Sequence, residues 1–317
     1  MIIAESVLIL TLAAMTNPVL NCTSYQVSGI LVREAFPGHI SPDFRSFFLS
    51  MEDEDGMEKI YCLKQGFIGK RWKSPEPLQG RINEYRSITD TTGEMKVINN
   101  SHPCLTADEL TMVYVRNHTD EWEGNDLWIA TRSSKKEPFE ELRPITEFNT
   151  DSCSEAYPFI NADGSRLYYT ADDRIVVSEF NEEKSLFEKP DTLTQPSERP
   201  IVSCCLTPDE KTILLTDYDG TILKTRSTSV EYRLEAPDTI IIPEKLDFIS
   251  SPSLVDNGEL YLYASIDQDD YIEIIRSDIT DWDKRARKKT KIPLPDPYSE
   301  GIETAGFILI LTPKGDE

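Results

Sequence analysis

Along this chain, apolar residues gather in short stretches broken by polar turns. Five segments repeat one layout: Pro37–Ser50, Pro103–Arg116, Pro158–Ala171, Cys204–Asp217 and Pro252–Ser265. Each opens on a short apolar stretch and meets a turn carrying Asp43, Asp108, Asp163, Asp209 or Asn257. An alternating stretch then follows: Phe47 and Leu49, Met112 and Tyr114, Leu167 and Tyr169, Ile213 and Leu215, Leu260 and Leu262. A period of two, rich in β-branched and aromatic residues, predicts a strand. Asp163-Gly164 and Asn257-Gly258 supply the positive φ that tight hairpins need.

Ten residues beyond each turn residue comes another polar position: Asp53, His118, Asp173, Asp219 and Asp267. A third strand is expected after each, at Lys59–Tyr61, Asp126–Ile129, Arg174–Val177, Thr221–Leu223 and Tyr271–Ile274. A fourth falls in the variable linker before the next unit. Four short antiparallel strands in a unit of about 50 residues mark a propeller blade. The expectation is therefore an all-β fold, a β-propeller of six blades with four antiparallel strands each; five or seven are the alternatives. Gly306–Leu311 reads as the second strand of an incomplete last unit, which Tyr25–Val32 would complete by circular closure. Closure removes exposed strand edges. The one candidate helix is short, near Asp281–Lys289.

The units resemble the WD40-like PD40 repeats of TolB-type β-propellers and of many exported bacterial proteins. The most specific match is Asn125-Asp126-Leu127-Trp128-Ile129-Ala130-Thr131-Arg132 followed by Glu137-Pro138-Phe139; Ser154–Thr170 matches the core repeat. The third and fourth units lack the Asp-Leu-Trp triplet, and the fourth lacks the leading proline. The resemblance implies a fold and export. It implies no common chemistry, because propellers host many activities.

Val7–Met15 is an apolar run of nine, too short to span a bilayer, which takes roughly 20 residues. It fits the core of a secretory signal, although Glu5 stands where a positive charge is usual. The competing reading is a first buried strand or helix. Val19-Leu20-Asn21-Cys22 resembles a relaxed lipoprotein cleavage box, with Asn21 a poor match. The expected organisation is a signal over residues 1–22 and one propeller domain over 23–317. The expected location is the periplasm or cell envelope, with lipidation at Cys22 as a further option. None of the six cysteines forms a metal-binding spacing. Small buried side chains are expected, with a Cys104–Cys153 disulfide open if the protein is exported.

Lys plus Arg is 33 and Asp plus Glu is 56, a net charge of −23. That excess argues against nucleic-acid binding and against a polybasic hold on anionic lipid. It permits cationic partners or a divalent metal. Acidic hairpin tips recur at Asp53–Gly56, Asp217–Gly220 and Asp267–Asp270. Their carboxylates suit Ca²⁺, but Asp and Gly also favour plain solvated turns.

The histidines, His39, His102 and His118, come without a nucleophile elbow and are read as structural. A ligand pocket, if present, belongs at one mouth of the central channel, lined by Glu34, Asn100, Glu155, Arg199 and Asp247. Asn100 and Glu155 are equivalent, each eight before its turn Asp. The competing reading makes all five rim residues in hydrogen-bonded loops. Trp128 is expected in the core, while Trp72, Trp122 and Trp282 could stack on sugars. The functional expectation is an exported non-enzymatic module that binds a protein or glycan in the cell envelope. The alternative is a glycoside or lactone-type hydrolase with acids at the channel mouth.

Overall fold

The computed structural model describes residues 35–43, 45–52, 57–64, 66, 75–84, 88–89, 95–96, 98–117, 124–150, 153–193, 200–207, 210–217, 222–228, 233–234, 238–240, 248–254, 259–265, 271–272, 277–278 and 292–293. The first sheet holds β1 (Ala35–Ile40), β2 (Ser46–Glu52), β3 (Glu58–Lys64) and β4 (Glu76–Pro77), in that order. A hairpin of β5 (Ile88–Thr89) and β6 (Met95–Lys96) lies in the next connection, after a 3-10 turn at Arg81–Asn83. The second sheet is β7 (Asn99–Leu105), β8 (Thr111–Asn117), β9 (Asn125–Thr131) and β10 (Glu141–Pro144).

The third is β11 (Glu155–Ile160), β12 (Arg166–Ala171), β13 (Arg174–Asn181) and β14 (Leu186–Phe187), with β15 (Asp191–Thr192) also on β13. The fourth is β16 (Ile201–Leu206), β17 (Thr212–Asp217), β18 (Ile222–Thr228) and β19 (Arg233–Leu234), with β20 (Asp238–Ile240) also on β18. The fifth joins β21 (Phe248–Leu254), β22 (Glu259–Ser265) and β24 (Ser277–Asp278). There β23 (Tyr271–Ile272) pairs instead with β25 (Ile292–Pro293).

Four-stranded antiparallel sheets in chain order, repeated around a ring of first strands, make this an all-β propeller-type fold. β7 meets β1 and β11, β16 meets β11 and β21, and β21 meets β1. The segments that the sequence assigns to a closing blade, Tyr25–Val32 and Gly306–Leu311, lie outside the described residues, as do Cys22 and the expected helix near Asp281.

The alternation expected of the second strands is not a burial alternation. Phe47, Phe48, Leu49, Ser50 and Met51 of β2 are all buried, as are Met112, Val113, Tyr114 and Val115 of β8. These second strands are sandwiched between neighbouring sheets, so both of their faces are core. One cluster packs Phe48 and Ile60 of the first sheet on Met112 and Tyr114 of the second. Another packs Val113 and Leu127 on Ala156 and Leu167, and a third packs Tyr168 and Ile175 on Cys204 and Leu215.

The repeated turn Asp works as an Asx cap. Asp43 Oδ1 accepts from Ser41 Oγ at 2.8 Å and from the Arg45 N–H at 3.1 Å. Asp108 repeats this with Thr106 at 2.6 Å and Leu110 at 2.9 Å, and Asp163 accepts the Ser165 N–H at 2.9 Å. Each first strand carries a β-bulge, with register shifts between Pro37 and His39, Ser101 and Cys104, Ala156 and Phe159, Ile201 and Ser203, and Ser250 and Ser253; in the second, third and fifth sheets the skipped residues include a proline. A bulge is one of the few sheet positions that tolerates proline. His102 and Tyr157, just before their prolines, take φ of 49°, and their rings meet edge-on at 4.5 Å.

Candidate functional site

The first strands all begin at one end of the ring, so their first residues and the last residues of the second strands form one mouth. Asn100 pairs with Arg116, Glu155 with Ala171 and Ile201 with Asp217. Asn100 and Glu155 are therefore placed alike, at 4% and 2% exposure. Glu34, Arg199 and Asp247 lie outside the described residues.

Asn100 is engaged by the fold. Its Nδ2 donates to the Ile82 carbonyl at 3.2 Å, and its Oδ1 accepts from Arg116 Nε at 2.9 Å. The Arg116 guanidinium carbon lies 4.2 Å from the Trp128 ring centre and 5.5 Å from that of Tyr114. A cation over aromatic faces is held by their quadrupoles. The Trp128 Nε1 and Tyr114 hydroxyl beneath it are buried with no protein hydrogen-bond partner. Trp128 is half-buried against the core between the first two sheets, close to the expected core position.

Glu155 differs. Its Oε1 accepts from Thr150 Oγ1 at 3.2 Å, while Oε2 is buried and has no protein partner. Burial raises its carboxyl to about 7; the Thr150 hydrogen bonds oppose the rise and the Asp126 charge adds to it. A buried carboxyl keeps its proton when the charged form loses more hydration than its neighbours return.

Sequence reasoning missed Arg116 and Asp217. Both were legible by symmetry, because each stands eight residues after its turn Asp, across from the positions eight before. Asp217, expected at an exposed acidic tip, is 3% exposed. The other acids of the three expected tips lie outside the described residues, as do His118, Trp72, Trp122 and Trp282.

Further along the first strands, His102 and the thiols of Cys104, Cys204 and Cys205 are buried, and His39 is half-buried. His39 Nδ1 is 4.0 Å from Cys104 Sγ, and that sulfur accepts the Ile160 N–H at 3.3 Å. Burial lowers the His39 imidazole to about 4, helped by the Lys135 charge, and lowers His102 to about 4. Burial raises the Cys104 thiol to about 12. Thiol and imidazole are both neutral, so this is packing and not an activated nucleophile. The Cys104–Cys153 disulfide is not formed. Cys104 is sealed between first strands, whereas the Cys153 thiol donates to Asp172 Oδ2 at 3.1 Å.

No protein-family model matches the chain, and no curated protein matches it. Among solved structures it is similar to a luciferin-regenerating enzyme, at 14% identity and a TM-score of 0.46 over 84% of this chain and 83% of that one. It is similar to a chain of a nidogen/laminin complex at 9% identity and 0.45, over 84% and 76%. It is also similar to an auxiliary nutrient binding protein from Bacteroides thetaiotaomicron at 13% identity and 0.42, over 82% and 63%. The fold assignment rests on the sheets of this chain itself.

Proposed function

We propose that this chain is a binding module: a rigid ring that holds a protein or glycan partner at the mouth built by Asn100, Arg116 and Glu155. Glu34, Arg199 and Asp247 join that mouth in this reading. One observation carries it. Glu155 Oε2 is a buried carboxyl oxygen that the fold leaves without a donor. An unsatisfied buried acceptor costs about 1–3 kcal/mol, and a ligand hydroxyl or amide N–H reaching it would recover that cost. At the equivalent position of the second sheet, Asn100 is held by the Arg116 guanidinium, which stacks on Trp128. The reading includes export behind a leader at residues 1–22, a cell-envelope location with lipidation of Cys22 as an option, and no standing need for Ca²⁺. It also takes the ring to close at five blades, supported by the meeting of β1 with β21.

Glycan-array and envelope-extract capture with the full chain, wild type against Glu155→Gln, tests the reading. Retention should drop in the variant. Equal retention would remove Glu155 from the site, and capture of nothing by the wild type would remove the binding role.

A second reading, hydrolysis of a glycoside or lactone, draws on the same residue, since a carboxyl near 7 suits a general acid. A substrate screen with and without Ca²⁺ separates the two. Turnover abolished in Glu155→Gln would favour catalysis; no turnover in the wild type would favour binding.

A further inference from the structure

At the other end of the ring, the second and third sheets diverge around a groove of about 620 Å³. Its floor is Ile129, Ile160 and Phe187, all buried, with Phe180 half-buried at the side. Its wall is β10, the last strand of its sheet, which among the described residues pairs only with β9. A strand edge is a template for another strand. Its rim is acidic: Glu140, Glu141, Asp163 and Glu182 are exposed there.

The rim acids are only partly neutralised. Glu141 accepts from Thr131 Oγ1 at 3.2 Å, and Asp163 is used by its own turn. Among the described residues, no ion pair reaches Glu140 or Glu182. Two lining cations, Arg81 and Arg143, face the four acids, and Arg143 also lies 3.8 Å from Glu147, which does not line the groove.

We infer that this groove docks an extended basic segment of a partner protein, laid along β10 with an apolar side chain on the Ile129–Phe187 floor and Lys or Arg toward Glu140 and Glu182. The edge supplies backbone pairing, the floor an apolar pocket and the rim charge complementarity. These are the three elements of strand-addition recognition. A groove of this volume is in the range of ligand clefts. The surface is separate from the Glu155 mouth: Glu155 begins β11, whereas Ile160 and the Asp163 turn end it.

The test uses the full chain and a fluorescent pentapeptide alternating Lys and Leu. Two copies serve as controls, one with Glu for Lys and one methylated on alternate backbone amides. The basic peptide should bind, more weakly as salt rises, and slow hydrogen exchange in 141–144. Neither copy should match it. The exposed-site double variant Glu140→Lys/Glu182→Lys should weaken binding about tenfold, as two rim charges reversed would. No binding of the basic peptide, equal binding of the Glu copy, or binding unchanged in the double variant would overturn the inference. Self-association of the wild type that vanishes in the double variant would also overturn it, assigning the groove to a second copy.

Discussion

A carboxyl group buried at the start of β11 holds its proton until the solution is nearly neutral. The Glu155 carboxyl stands at about 7 in the folded chain, well above the ordinary carboxylate range. Between those values the native state binds more protons than the unfolded state, so this group's contribution is full at low pH and is lost as pH rises toward 7. Glu155→Gln should therefore flatten the fall in thermal midpoint from about pH 4.5 to 7. An unchanged slope would show that Glu155 ionises freely. His39 and His102 act oppositely. Held neutral down to about 4, they favour the unfolded state as pH drops below the ordinary imidazole value of about 6.5. His39→Gln should reduce that acid-side loss, read by the same melts between pH 6.5 and 4. Gly38 is constrained by space. A Cβ there would lie 2.6 Å from the Phe48 carbonyl oxygen and 2.6 Å from Pro103. Gly38→Ala should cost about 1–3 kcal/mol in urea melts, the usual penalty of overpacking; a neutral result would contradict the close seating of β1 on β7.

At the scale of the element, the turns bind neighbouring sheets. Glu210, at φ 54° in the turn after β16, accepts from Asn161 Nδ2 of the β11–β12 turn and from Arg166 Nη1 and Tyr168 Oη of β12, at 2.9 Å each. Thr170 Oγ1 reaches the Val202 carbonyl at 2.7 Å, and the Ala107 N–H reaches the Ala162 carbonyl at 2.9 Å. Glu210→Gln keeps the shape but loses charge opposite Arg166, and Glu210→Ala also strands the Tyr168 hydroxyl. The Ala variant should lose about 1–3 kcal/mol and the Gln variant less; equal losses would point to the backbone at 210 and not to the network.

The repeat was plain in the sequence because turn chemistry is local. Asp43, Asp108 and Asp163 cap their own hairpins, and alternation marks the strands that follow. The bulges were hidden, since nothing in His102-Pro103 or Tyr157-Pro158 reveals a positive φ before proline, where extended backbone is the rule. The site was half legible. Asn100 and Glu155 were placed by symmetry, but their burial and the stacking of Arg116 on Trp128 depend on neighbouring strands that no local pattern encodes.

For the whole molecule, the ring organises everything else. Sheets stacked face to face bury both sides of β2, β8, β12 and β17, bring the first strands together and separate the Glu155 mouth from the acidic groove. The most direct test compares two distances by pulsed electron spin resonance, with genetically encoded labels where each first turn leads into its second strand. One pair is Arg45 and Glu259, in the first and fifth sheets; the other is Arg45 and Arg166, in the first and third. A ring closed at five blades, as proposed above, makes the first pair neighbours, so its distance should be the shorter. An open arc would make it the longer, and that result would contradict the account.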